Sequence, residues 1–178
     1  MLTLSLLRHA KSSGSNARRK DIERPLSQRG ERDAPRMGDF MARQGLAPDL
    51  ILCSPAVRTR QTLDLLLPRL AARLQEASPE IEYDGALYLG TRAAMLKRLS
   101  KVVPSMRHIL LVGHNPGLQA LALELAGEGN EEALERLAEK LPTAGLVVIE
   151  LDVVSWAKVE AGAGRLRLFA APKRLDCD

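Results

Sequence analysis

The stretch Leu2-Thr3-Leu4-Ser5-Leu6-Leu7-Arg8-His9 reads as a strand that stops on two residues with chemistry rather than bulk. Ile109-Leu110-Leu111-Val112-Gly113-His114 follows the same plan much later in the chain. Asp49-Leu50-Ile51-Leu52-Cys53 is a third apolar run, followed at once by Ser54-Pro55-Ala56-Val57-Arg58. Short runs that are apolar throughout, with little polar alternation, mark strands buried on both faces, as in parallel sheets.

Helical patterns separate these strands. Ser27 reads as an N-cap for a helix over Gln28 to Gln44, closed by Gly45 at C′, with Pro35 predicting a kink or a later start. Ser54-Pro55 places a capping serine before a proline at the first helical position. Leu63, Leu66, Leu67, Leu70 and Leu74 then recur with helical spacing, and Pro68 is expected to bend or end that run. Ile81 to Tyr83 reads as a short strand, and Thr91 as the cap of a helix to about Leu99. Asn115-Pro116 repeats the cap-plus-proline device for a helix ending near Gly127.

Glu131 to Lys140 has helical character, with Leu134, Leu137 and Leu141 on one stripe. Leu146 to Leu151 and Leu166 to Phe169 read as strands with no helix between them, only a turn marked by Gly162 and Gly164. An antiparallel edge is therefore expected. The alternation of strands and helices predicts an α/β fold: a three-layer sandwich around a mostly parallel central sheet, with residues 1–178 as a single domain.

Composition narrows the function classes. Of 178 residues, 46% are apolar and only 3% aromatic, so the core must rest on Leu, Val, Ile and Ala. So few aromatics leave no stacking platform for single-stranded nucleic acid, and nucleic acid is not an expected partner. No apolar run approaches the ~20 residues of a membrane span, and the N-terminus lacks the basic leader of a signal peptide. Cys53 and Cys177 suggest no disulfide framework, which makes a reducing cytoplasm the default. The net charge is +4, with Arg18-Arg19-Lys20 as the densest basic cluster, read as a solvated loop or as an attractor of anions. Nothing in the pattern specifies an oligomeric state.

In open α/β sheets, ligands bind outside the carboxyl ends of the strands. Arg8 and His9, Arg58, and His114 all lie just past such ends. Arginine forks and helix N-termini suit the oxygens of a phosphoryl group. Any one of these residues alone is as well explained by a surface ion pair or a braced turn; their common position points to one crevice. His108 starts the strand that ends before His114, so it belongs at the far edge of the sheet with a structural role. There is no G-x-x-x-x-G-K-[ST] loop. The loop from Cys53 to Arg58 is one residue short for a cysteine phosphatase, and Cys53 reads as a buried strand residue. Three scattered histidines without clustered cysteines carry no metal signature.

Leu7-Arg8-His9-Ala10-Lys11-Ser12 resembles the R-H-G-type motif of the histidine phosphatase superfamily. Arg24-Pro25-Leu26-Ser27-Gln28-Arg29-Gly30 resembles its R-P-L-[ST]-x-x-G segment, and Ser54 to Thr62 its S-P-x-x-R-x-x-Q-T segment. Val112 to Pro116 resembles the second-histidine motif, and Pro142-Thr143-Ala144 a later segment. The chain looks closest to the small SixA-like phosphohistidine phosphatases. The resemblance implies a compact phosphoglycerate mutase-like fold without a large cap and without cofactor or metal. It implies His9 as a covalent nucleophile, with Arg8, Arg58 and His114 holding the phosphoryl oxygens. Surrounding cations would keep His9 neutral near pH 7 by like-charge repulsion. The Lys11–Asp21 loop is placed to shape access to His9, with Lys11 and Ser12 as candidate substrate contacts.

One departure matters. No motif marks the acid that larger relatives use to protonate a leaving oxygen; Glu82 and Asp84 are nearest by order and read as surface residues. Imidazole leaves with less help than an alcohol, so a protein-borne phosphohistidine is the expected substrate. A small phosphomonoester, or a phosphate-binding module with weak turnover, are the alternatives.

Overall fold

A computed structural model describes residues 1–14, 18–74 and 78–175, and of residues 73 and 74 only the backbone. Cys177 and the Leu74 side chain lie outside what it describes. The strands are β1 (Leu2–Arg8), β2 (Leu50–Cys53), β3 (Glu80–Tyr83), β4 (His108–Gly113), β5 (Ala126–Gly129), β6 (Leu146–Leu151) and β7 (Gly164–Ala170). The α-helices are α1 (Gln28–Arg43), α2 (Val57–Leu74), α3 (Arg92–Leu99), α4 (Gly117–Leu125) and α5 (Glu131–Glu139).

The strands form one sheet in the order β3-β2-β4-β1-β6-β7-β5. β1, β2, β3 and β4 pair in parallel; β6 runs antiparallel to both β1 and β7. Side chains alternate between two cores, as a pleated strand requires. Leu4, Leu6, Ile109, Leu111, Val147 and Ile149 face one core, with Met95, Leu118, Leu121 and Leu137 of α3, α4 and α5. Leu7, Leu110, Val112 and Val148 face the other, with Met37, Met41, Leu63 and Leu66 of α1 and α2. The fold is thus α/β, helices covering both faces of a mostly parallel sheet.

The edge differs from expectation. Beyond β7 lies β5, parallel to it, so the outermost strand is not the antiparallel one. Ala126-Gly127-Glu128-Gly129 has no strand propensity to announce it. A Cβ on Gly127 would stand 2.1 Å from the carbonyl oxygen of Gly162, so the close approach itself requires glycine.

Neither proline ends its helix. α1 runs through Pro35 and α2 through Pro68. Each proline forfeits one backbone bond, but the two helices pack so closely that a Cβ on Gly38 would meet the Leu66 carbonyl at 2.5 Å. Burial of the shared face offsets the lost bonds. Ser27 caps α1 by accepting from the Gly30 amide at 3.3 Å, and Gly45 follows that helix at φ +65°.

Strand register sets up the crevice. Arg8 of β1 stands level with Gly113 of β4, and Cys53 of β2 with Val112. β1 leads to α1 on one face and β4 to α4 on the other, which makes their junction a topological switch point.

Candidate active site

The register carries on past the strand ends. The His9 amide donates to the Gly113 carbonyl at 3.1 Å, and the Ser54 amide to the Val112 carbonyl at 3.0 Å. Residues 9, 54 and 114 are therefore neighbours because their strands are. The two imidazole rings stand 5.2 Å apart between centroids, and both histidines are buried.

Arg58, in the first turn of α2 and 3% exposed, reaches between them. Its Nε–H donates to His9 Nε2 at 3.3 Å and its Nη2 to His114 Nδ1 at 3.3 Å. A guanidinium can only donate, so both of those ring nitrogens are acceptors. His9 then carries its proton on Nδ1, which donates to the Ala10 carbonyl at 2.7 Å. His114 carries its proton on Nε2, which donates to Ser54 Oγ at 2.7 Å. One arginine and two acceptors fix both tautomers.

The remaining motif residues hold this arrangement. Thr62 Oγ1 accepts from the Ala10 amide at 3.0 Å and donates to the Arg58 carbonyl at 2.7 Å. Gln61 Oε1 accepts from the Leu26 amide at 2.8 Å. The Ser27 amide donates to the Lys11 carbonyl at 2.8 Å and its hydroxyl at 3.0 Å. Gly30 permits that contact, since a Cβ there would lie 2.2 Å from the same oxygen. The Ala144 amide donates to the His9 carbonyl at 3.1 Å.

The two cap-plus-proline readings are corrected. α2 starts at Val57, not Pro55, and the Ser54 hydroxyl is shared between His114 at 2.7 Å and the Ala56 amide at 3.4 Å. Pro116, not Asn115, occupies the N-cap position of α4. The Asn115 amide instead donates to Gln119 Oε1 and the Leu141 carbonyl, both at 3.1 Å.

Arg8 anchors Nη1 on the Leu141 carbonyl at 2.8 Å. Its Nε is buried without a partner among the described residues. Ser12 accepts from Arg24 Nη2 at 3.1 Å. Lys11 is exposed and lines a groove with Arg8. His108 stands at the opposite sheet edge, its Nε2 2.8 Å from Ser5 Oγ.

Sequence reasoning missed Asp21 and Tyr88. Asp21 opens a short 3-10 turn, Asp21–Glu23, whose Lys20 flank is exposed, as is Arg19. Its carboxylate accepts from Arg58 Nη2 at 3.0 Å, Tyr88 hydroxyl at 2.7 Å and Arg24 Nη1 at 2.9 Å. Tyr88 also sits edge-on to His114 at 5.5 Å. The Arg24 of the R-P-L segment was the one available signal, because it ties this turn to Ser12. Glu82 and Asp84 are indeed elsewhere: both pair with Arg98, and Asp84 also accepts from the Ala86 amide at 2.8 Å.

Burial is the leading reason His9 titrates low, at about 4; the Ala10 carbonyl opposes this, and Arg58, Arg8 and Arg24 add like-charge repulsion. Desolvation thus outranks the cations that the sequence suggested. Burial, then His9 and Arg58, push His114 to about 3. Tyr88, Arg24 and Arg58 hold Asp21 near 2, against some desolvation. Near neutral pH the cluster therefore presents two neutral imidazoles, the three guanidinium groups of Arg8, Arg24 and Arg58, and one carboxylate. Asp21 in that state accepts hydrogen bonds and has no proton to give a leaving group. Among the described residues no group of three His, Cys, Asp or Glu is placed to hold a metal ion. No helix among them is long and apolar enough to cross a membrane.

Comparison with known proteins finds similar sequences and folds. Residues 4–98 match the model of the histidine phosphatase superfamily (branch 1), a span that includes Arg8, His9 and Arg58. The uncharacterized protein Rv1276c of Mycobacterium tuberculosis is 35% identical over 94% of this chain and all of its own length. A candidate phosphohistidine phosphatase SixA from Nakamurella multipartitia superposes with a TM-score of 0.80 at 28% identity, covering 96% of each chain. Another, from Agrobacterium tumefaciens, gives 0.77 at 28% identity, covering 96% of this chain and 98% of its own. The fold is phosphoglycerate mutase-like.

Proposed function

The chain belongs to the histidine phosphatase superfamily, and from that premise we propose that it hydrolyses protein-borne phosphohistidine through a phosphoryl group carried on His9. Family membership and the SixA neighbours support phosphatase activity. The observation that carries the mechanism is the His9 tautomer: Nδ1–H is tied to the Ala10 carbonyl, leaving the Nε2 lone pair facing Arg58 and His114.

In the free protein Arg58 donates to that lone pair. An incoming phosphoryl group offers the same guanidinium stronger acceptors, and its transfer to the phosphoryl oxygens uncovers Nε2. The lone pair then forms an N–P bond as the bond from phosphorus to the leaving group breaks, its electron pair departing with that group. Arg8 and Arg58 hold the equatorial oxygens, the buried Arg8 Nε supplying a further donor, and His114 joins them once its Nδ1, released by Arg58, takes up a proton beside the incoming anion. Water attacks the phosphoryl-imidazole next, giving inorganic phosphate and returning the electron pair to Nε2. Catalysis of this type rests on positioning and electrostatic stabilisation. Neither step passes through a cofactor or metal.

Substrate class follows from the missing acid. An alkoxide must be protonated as it leaves, and Asp21, held near 2, has no proton to give. In phosphohistidine the far ring nitrogen takes a proton from solvent, so imidazole departs neutral without an enzymic acid. Cover over the pair comes from the Asp21 turn and Tyr88, with Lys11 and Ser12 at the approach. We place the activity in the cytoplasm, in keeping with the free thiol of Cys53.

The test is phosphate release from a phosphohistidine-bearing protein and from an aryl phosphate, by wild type and His9→Ala. Preference for phosphohistidine, abolished by the substitution, is expected. Faster turnover of the aryl ester would move the substrate to small phosphomonoesters. Ligand binding by both proteins with no turnover by either would make the chain a phosphate-binding module.

A further inference from the structure

A second feature shares Arg8 with the His9 site. A groove of about 440 Å³ is lined by six cationic side chains: Arg8, Lys11, Arg29, Lys140, Lys173 and Arg174. They come from the end of β1, the loop after it, the first turn of α1, the end of α5 and the C-terminal 3-10 turn. A solvated charge run would come from one segment. Here the fold gathers like charges from five segments, and mutual repulsion works against that unless an anion offsets it.

Among the described residues little offsets it. Arg29 shares the Asp33 carboxylate at 3.3 Å, a group that also faces Arg36 at 3.8 Å. Lys11, Lys140, Lys173 and Arg174 have no carboxylate partner among the described residues. The scaffold beneath them is fastened. Gln119 accepts from the Leu141 amide at 3.2 Å and donates to the Leu137 and Ala138 carbonyls at 3.0 and 3.1 Å, which fixes the backbone at Lys140. Arg36 donates to the Pro172 carbonyl at 3.2 Å, next to Lys173.

We propose that this groove seats an acidic segment of the phosphorylated protein beside its phosphohistidine. The proposal rests on the reading of a protein substrate and says how that substrate is chosen. Arg8 belongs to both sites, so a phosphoryl group at His9 and a carboxylate in the groove are held by neighbouring faces of one chain. The groove is several times larger than one phosphate needs, falling in the range of sites that take a multi-group ligand. Four exposed cations with no carboxylate partner among the described residues suit a run of Asp or Glu side chains better than a single fixed anion. Exposed charge pairs of this kind add specificity and encounter rate, and salt weakens them.

The test uses the triple variant Lys140→Glu/Lys173→Glu/Arg174→Glu and its glutamine counterpart, none of which alters a residue of the His9 cluster. An unphosphorylated, glutamate-rich peptide is titrated against turnover of an aryl phosphate. Wild type should be inhibited in a salt-sensitive way. The variants should keep basal turnover and raise the inhibition constant on the order of tenfold, the glutamate variant more than the glutamine one. With phosphohistidine peptides, wild type should favour Glu-flanked over Ala-flanked sequences by a similar factor, and the variants should lose that preference. Equal inhibition of wild type and variants, or no inhibition of wild type, would overturn the proposal. Groove-dependent inhibition by inorganic tripolyphosphate but not by the peptide would overturn it too, by assigning the groove to small polyanions. The aryl-phosphate arm reads the groove even if phosphohistidine proves not to be the substrate, so the two failures are distinguishable.

Discussion

Acid should leave this enzyme active well below the pH at which a solvent-exposed histidine would be lost. Nucleophilic attack needs neutral His9, and the folded protein holds its titration at about 4 rather than 6.5, chiefly by burial. At pH 5 a group titrating at 4 is about 90% neutral, whereas one titrating at 6.5 is only about 3% neutral, a difference of roughly thirtyfold. His114, at about 3, stays neutral over the same range and keeps accepting from Arg58. The assay is kcat/KM for an aryl phosphate from pH 4 to 8, corrected for the substrate's own titration, with far-UV circular dichroism confirming the fold at each point. The acid limb should fall near pH 4 to 5, and the His9 Cε1–H resonance should titrate alongside it. A limb centred near 6.5 with the fold intact would refute the argument that burial sets this ionisation.

Three further outcomes are expected. Ser54→Ala removes the acceptor of the His114 Nε2–H and leaves a buried donor unpaired; kcat should fall about tenfold, from a cost of ~1–3 kcal/mol, with KM moving less. Gly30→Ala drives a Cβ to 2.2 Å from the Lys11 carbonyl, so thermal denaturation should show a loss of about 1–3 kcal/mol together with a drop in kcat/KM as the loop after His9 shifts. His108, half-buried and titrating at about 4, makes the folded state bind fewer protons than the unfolded chain below pH 6.5. Stability is then fully present above 6.5 and is lost as pH falls towards 4, by at most about 3 kcal/mol for this residue. In His108→Gln, urea denaturation should show a shallower decline over that window.

How far the sequence foretold this molecule depended on whether a feature was local. Leu2 to Leu7 and Ile109 to Val112 announce buried strands because every residue in them is apolar or small, and their ends name the chemistry. The convergence of His9, Arg58 and His114 follows once those strands pair in parallel with their ends level. β5 was illegible because Ala126 to Gly129 earns its place by close backbone approach to the Gly162 turn, not by side-chain preference. The Asn115 cap was misread because its side chain had a tertiary partner that outbid the helix end, whereas Ser54 shares its hydroxyl between His114 and the Ala56 amide. Asp21 reaches Arg58 across 37 positions and Tyr88 across 67, so no local spacing could signal the clasp. The cationic groove was invisible for the same reason, its lysines and arginines being scattered and unremarkable in sequence.

The central claim is that His9 Nε2 carries the phosphoryl group. It is tested most directly by rapid quench of the wild-type protein with a radiolabelled phosphoryl donor, followed by peptide mapping under alkaline conditions. The account predicts an acid-labile, alkali-stable label on the peptide containing His9, formed no more slowly than turnover and absent from His9→Ala. Label on another residue, or full turnover by His9→Ala, would contradict it.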